Sequence, residues 1–329
     1  MHYKFEFRPY QRKFGRAVVT SHGIWEIREG IILCLTDESG KVGWGEIAPI
    51  TWFGSETLEQ ALNFCRQLLP EIREETIFSI PDDLPACQFG FESALQGARE
   101  SRSEDFEFLI SPPPASVTYS GLLPAGETAL EAWQRLWQQG YSTFKWKIAV
   151  YPTSVELKIL ESLVQSLPAS TKLRLDANGG LNFEEANLWL TTCDKVNANS
   201  ELPVEIEFIE QPLAVDQFSA MLELSRRYQS AIALDESTAT LKQLEYYYNQ
   251  GWRGIFVIKP GIVGSPSRLC QFCQHHKIDA VFSSVFETIV GRKAALQLAT
   301  ELSQYNRAVG FGINHYFAED DAVWLENLW

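Results

Sequence analysis

From about residue 117 to residue 311 the chain alternates between two hydrophobic periods. Short apolar runs at 117 to 120, 143 to 148, 172 to 176, 205 to 210, 231 to 235, 254 to 258, 280 to 283 and 308 to 311 have the length and the composition of strands. Between them, stretches at 128 to 139, 154 to 167, 182 to 191, 218 to 228, 241 to 248, 267 to 276 and 292 to 303 repeat their apolar positions every three or four residues. That spacing marks a helix with one buried face. Parallel strands need a crossover of a dozen or more residues, and one helix per strand supplies it. The pattern predicts an α/β fold closed into a TIM-type (β/α)7β barrel.

The first hundred residues lack this step. Runs at Tyr3 to Phe7, Trp25 to Leu35 and Val42 to Glu46 alternate apolar with polar residues, and Glu38-Ser39-Gly40 signals a turn, so an antiparallel meander is expected. Two helices should follow, one beginning at Ser55 as N-cap and ending at Pro70, the other over 84 to 102. Ile110-Ser111-Pro112-Pro113-Pro114 continues neither a helix nor a central strand. The expected organisation is an N-terminal α+β domain over 1–111, the barrel over 112–312, and a tail over 313–329 whose aromatic residues return to the first domain.

Composition removes several classes of function. With 45% hydrophobic and 21% charged residues the chain has the balance of a globular protein, and a net charge of −14 disfavours nucleic acid and anionic membrane as partners. No window approaches the roughly 18 apolar residues of a spanning helix, and the amino end does not resemble a signal peptide, so a cytoplasmic location is expected. Cys270-Gln271-Phe272-Cys273, with His275 and His276 behind it, falls on an expected crossover helix. With no second such pair in the chain, it reads as part of that helix rather than as a zinc or redox site.

The candidate chemistry sits where the strands end. Asp176, Glu210 and Asp235 each close an apolar run, one βα unit apart, so they should meet at one barrel mouth. Three carboxylates there would repel one another without a cation, and a hard ion with oxygen ligands, Mg2+ or in its place Mn2+, suits them best. The same step picks up Lys145 and Lys147 before the acids and Lys259 after them. Strand alternation puts Lys145 and Lys147 on one face and Trp146 on the other. Two ammonium groups turned into a barrel should depress at least one pKa and so create a base. An ion pair with Asp235 is the plainer reading of Lys259.

In order, Lys-x-Lys, Asp-x-Asn, Glu-Gln-Pro, Asp-Glu-Ser and Lys-Pro resemble the enolase superfamily in its muconate-lactonizing subgroup. Gly43-Trp44-Gly45-Glu46-Ile47-Ala48-Pro49 in front and the segment from Ser283 to Gly291 behind extend the resemblance over nearly the whole chain. It implies that the α+β domain caps the barrel, that Asp176, Glu210 and Asp235 bind Mg2+, and that Lys147 is the base facing Lys259 across the substrate. It further implies that Asn178 and Glu236 orient the ligands. Lys145, Ser283 and Ser284 are the candidate substrate contacts, with the amino end of the helix after Ser284 receiving a carboxylate. A capping loop at 12 to 23 should close over a small dicarboxylate. The reaction favoured is a dehydration that aromatises a succinyl-bearing cyclohexadiene carboxylate on the way to menaquinone or phylloquinone. N-succinylamino acid racemisation, dipeptide epimerisation and cycloisomerisation use the same residues. The last strand, Val309 to His315, lacks the Asp-x-Asp pair with which the epimerases hold an ammonium group, and no dinucleotide or P-loop fingerprint is present.

Overall fold

The structure is a computed structural model that describes residues 1–20, 23–100, 117–202, 204–312 and 317–329. The connector expected at 110 to 116, and with it the boundary near 112, lies outside the described residues, as do 313 to 316 of the last expected strand and tail.

The first hundred residues form an antiparallel sheet of β1 (His2–Thr20), β2 (Gly23–Asp37), β3 (Val42–Ile47) and β4 (Glu71–Arg73), ordered β3-β2-β1-β4. They also carry the helices α1 (Leu58–Gln67), α2 (Glu74–Phe78) and α3 (Pro85–Glu100). The segment 12 to 23, expected as a loop, is strand up to Thr20 and again from Gly23, with a register slip between Lys13 and Val18; residues 21 and 22 lie outside the described residues. The buried positions of β1 change phase along its length. Tyr3 and Phe5 join the core under α3, whereas Tyr10, Arg12 and Phe14 are buried two residues apart on the alternate positions. Tyr10 there packs with α12 (Asp321–Leu328) through Trp324, so the sheet is covered on both faces.

One local detail differs from expectation, and one explains a motif. Helix α1 starts one cap later, because Thr57 accepts from the Gln60 amide while the Gln60 side chain accepts from the Thr57 amide. Ser55 instead accepts the buried Ile50 N–H at 2.7 Å. A Gln three residues beyond Thr57 is the signal that separates the two candidates. The glycines of Gly43-Trp44-Gly45 are required by packing: a Cβ at Gly43 would lie 1.8 Å from the Ala94 carbonyl oxygen, and one at Gly45 would lie 1.9 Å from that of Gly90. Strand β3 therefore rests directly on the backbone of α3.

The rest of the chain builds the barrel. Its parallel strands are β5 (Ser120–Leu123), β6 (Thr143–Lys147), β7 (Thr171–Asp176), β8 (Val204–Glu210), β9 (Ile232–Leu234), β10 (Ile255–Ile258) and β11 (Ala280–Phe282), hydrogen-bonded in that order. Around them run α4 (Ala129–Gln138), α5 (Thr153–Ser166), α6 (Phe183–Ala198), α7 (Phe218–Arg227), α8 (Leu241–Asn249), α9 (Pro260–Val263), α10 (Pro266–His276) and α11 (Ile289–Leu302). The eighth strand position is short. Val309 exchanges hydrogen bonds with Thr118 and Ser120, and Gly310 with Phe282 and Ser284, so residues 309 and 310 lie between β11 and β5 and close the ring. β5 begins three residues later than expected, with Tyr119 joined only by a bridge.

Alternation sorts the strand residues. Phe144, Trp146, Leu173, Leu175, Ile206 and Ile209 pack outward in the large core under the helices. Phe208, Ala233, Ile255, Val257 and Val281 form a separate cluster inside the barrel. Counting on by two along the same strands reaches Glu210, Asp235, Lys259 and Ser283, which places these side chains above the interior cluster at the carboxyl ends.

Candidate active site

Lys147, Asp176 and Glu210 end their strands, and Asp235, Lys259 and Ser283 follow directly on theirs. Lys145 and Lys147 are the third and fifth residues of β6, while Trp146 between them is fully buried outward against Trp189. Lys145 Nζ bridges Asp176 Oδ2 and Glu210 Oε1 at 2.8 Å each. Lys259, at the end of β10, pairs with Asp235 and lies 3.9 Å from the Phe53 ring centroid. Among the described residues Lys147, half-buried, makes neither an ion pair nor a hydrogen bond.

These contacts set the electrostatics. Burial alone would pull the Lys145 ammonium down, but Asp176, Glu210 and Asp235 hold it above its ordinary value. Lys145 is therefore not the depressed lysine of the pair, because the charges on its ammonium are the carboxylates of Asp176 and Glu210. Burial pushes the Glu210 carboxyl up to about 8, and repulsion from Asp176 and Asp235 outweighs part of what Lys145 restores. Asp235 and Glu236 are also raised, first by burial and against the pull of Lys259. The mouth thus holds more buried negative charge than its lysines relieve.

That imbalance bears on a metal. Among the described residues no three His, Cys, Asp or Glu side chains close around one point in this conformation, because ammonium groups lie on the carboxylate oxygens. The donor set nevertheless suits a hard cation: it is all oxygen, it is buried, and the Asp176 and Glu210 oxygens that Lys145 bridges are no more than twice 2.8 Å apart.

The supporting residues are partly those expected. Asn178, at φ +44°, donates its backbone N–H to Asp176 Oδ1 at 3.1 Å and its side chain to Glu236 Oε1 at 3.0 Å. Among the described residues Glu236 Oε2 has no hydrogen-bond partner. Gln211 is a support that the sequence reading missed. Its Oε1 accepts from the Asp235 and Ser237 amides and its Nε2 donates to Ser237 Oγ and the Leu213 carbonyl. The Glu-Gln-Pro motif contains it, but no spacing shows that its side chain fixes the next strand.

Ser283 and Ser284 are half-buried at the end of β11. Ser284 Oγ donates to Glu287 and accepts from the Phe286 amide, so its hydroxyl is already engaged. The amino end of α11, expected to receive a substrate carboxylate, is filled by the protein itself. Glu46 accepts from Thr288 N and Gly291 N, each at 2.9 Å, and Thr288 Oγ1 accepts from Val290 N. Above the mouth, Phe286 meets Phe14 and Trp25, and Trp25 meets Trp52 at 5.0 Å. This aromatic cover, with Phe53 on Lys259, joins sheet and barrel through residues distant in sequence. Position alone gives no signal for it.

The family model for "Enolase C-terminal domain-like" matches residues 128–326, and that for "MenC, N-terminal domain" matches residues 5–98. The o-succinylbenzoate synthase of Thermosynechococcus vestitus is 38% identical over 95% of this chain and 93% of its own length. The chain belongs to the o-succinylbenzoate synthase family of the enolase superfamily. Within this family, the crystal structure of the enzyme from Thermosynechococcus elongatus, with Mg in its active site, superposes with a TM-score of 0.86 at 36% identity over 99% of both chains. A dipeptide epimerase from Cytophaga hutchinsonii shares the fold at a TM-score of 0.76 but only 19% identity, over 97% of this chain and 89% of its own.

Proposed function

We propose that the protein dehydrates 2-succinyl-6-hydroxy-2,4-cyclohexadiene-1-carboxylate to o-succinylbenzoate, a step toward menaquinone or phylloquinone, with Mg2+ held by Asp176, Glu210 and Asp235. The observation that carries the site reading is the placement of Lys147 and Lys259 four strands apart, on either side of the three carboxylates. Lys147 removes the proton beside the substrate carboxylate. Among the described residues it is not held by an acid, unlike Lys145 and Lys259, so its Nζ is available to the substrate. Mg2+ when bound supplies positive charge that stabilises the enediolate. Lys259 presents its ammonium from the opposite wall, beside Asp235 and over the Phe53 ring.

The hydroxyl departs as water with the proton that Lys147 gained, and the ring becomes aromatic, so the balance is the loss of one water. Phe53, Trp25 and Phe286, all half-buried, offer an apolar wall to the ring and the succinyl methylenes. An ultraviolet assay of ring formation with purified protein, with and without Mg2+, tests the reading. A kcat/KM for an N-succinylamino acid above that for the cyclohexadiene would replace it with racemisation.

A further inference from the structure

We infer that Glu46 is a positioning residue for the mouth: its carboxylate, carried by β3, fills the amino end of α11 and thereby sets the loop 283 to 288 that follows β11 at the carboxyl end of the barrel. Glu46 is fully buried. It accepts from Thr288 N at 2.9 Å, Thr288 Oγ1 at 2.5 Å, Gly291 N at 2.9 Å and, from β1, Tyr10 Oη at 2.5 Å. The Thr288 and Gly291 amides are backbone donors at the helix start that lack an intrahelical partner, and in an isolated barrel they would face solvent or a ligand. The fit is tight from the barrel side as well, since a Cβ at Gly291 would stand 2.8 Å from Glu46 Oε2.

The loop between Ser284 and Thr288 has little freedom once this end is fixed. Phe286 takes φ +62°, its amide donates to Ser284 Oγ, and Glu287 accepts from both Val285 N and Ser284 Oγ. Arg28, on β2, holds the same loop through the Phe286 carbonyl while it binds the Ala48 and Pro49 carbonyls just beyond β3. One sheet therefore grips the loop at two points, and the loop carries Ser283, Ser284 and the Phe286 ring to the mouth. Glu46 touches no reacting atom, so it acts through this loop on how well substrate is held. The inference rests on the reading of the mouth as the active site.

The test uses the full chain with Glu46→Gln, whose amide offers one acceptor where the carboxylate offers two and turns N–H groups toward N–H groups. Amide exchange at Thr288 and Gly291 should rise by about tenfold or more, since these protons lose their acceptor. KM for the cyclohexadiene should rise by about tenfold with kcat within about threefold, because the catalytic lysines stay in place. Mg2+ affinity by calorimetry should be unchanged. A KM within twofold of wild type, a parallel loss of Mg2+ affinity, or unchanged exchange would each overturn the inference. If Glu46→Gln does not fold, Thr288→Val removes one donor from the barrel side and should show the same KM shift at smaller size; an unchanged KM there overturns it too. Should the wild-type protein fail to turn over the diene, the functional reading falls and the exchange measurement alone decides this one.

Discussion

Glu210 carries opposing demands on one carboxylate, buried to 1% exposure between Asp176 and Asp235 and relieved in this conformation by Lys145. Glu210→Gln should fold, since a neutral amide removes repulsion as well as attraction, yet it should lose most Mg2+ affinity because a cation site lives on charge. Calorimetry showing undiminished Mg2+ binding would reject Glu210 as a ligand. Lys147→Ala should cost on the order of 10²-fold or more in kcat with near-normal metal binding, the usual loss for a general base. Retention of more than about a tenth of the rate would reassign the base. The acids and lysines were legible in sequence because strand parity and a fixed βα step are local rules. Gln211, Phe53 and Glu46 were not, since each acts on a residue that only the closed fold brings near it. The carboxylates around Lys145 were not legible either, since which charges surround an ammonium group is a property of neighbouring strands, not of its own.

At the scale of elements, the antiparallel sheet is where sequence patterning was weakest, because β1 serves two cores with alternate positions and its single hydrophobic period is broken near Phe7. The glycines of β3 mark the closest contact in this unit. Gly43→Ala should destabilise by roughly 1–3 kcal/mol or more, since backbone rather than a movable side chain meets the new Cβ. Thr57→Ala removes only a cap on an exposed helix start and should cost about 1 kcal/mol. Urea midpoints order the two, and a Gly43→Ala protein no less stable than Thr57→Ala would contradict the packing of β3 on α3. The expected helices of the barrel were readable to within a few residues because each presents a single buried stripe, except α6, which runs on to Ala198 where an end at Thr191 was expected. The amino end of α11 was misread, since nothing in its own sequence announces that a carboxylate from another sheet will fill it.

Across the whole molecule, closure of the barrel relies on charge beneath the site. Arg307, just before the closing strand, binds Glu207 of β8 at 2.6 Å and Asp279, ahead of β11, at 2.7 Å, and Glu207 also binds Arg174 of β7 at 2.6 Å. The Arg174 and Glu207 side chains are each 2% exposed, and Arg174 lies over the Phe208 ring. Burial would raise the Glu207 carboxyl, but Arg174 and then Arg307 hold it below its ordinary value. A carboxyl depressed in the folded state stabilises fully above its unfolded value, about 4.3, and that contribution is lost as pH falls toward the folded value. Glu207→Gln should therefore cost on the order of 3 kcal/mol at pH 7, because it leaves the buried Arg174 without its carboxylate and Arg307 with Asp279 alone. Urea unfolding of both proteins at pH 7, 5 and 4 supplies the test: the gap should hold between pH 7 and 5 and narrow at pH 4, as the wild-type unfolded state takes up its proton. A gap that is constant or widens on acidification would mean that Glu207 is not ionised in the folded barrel, and that Arg307 closes the ring through Asp279 without it.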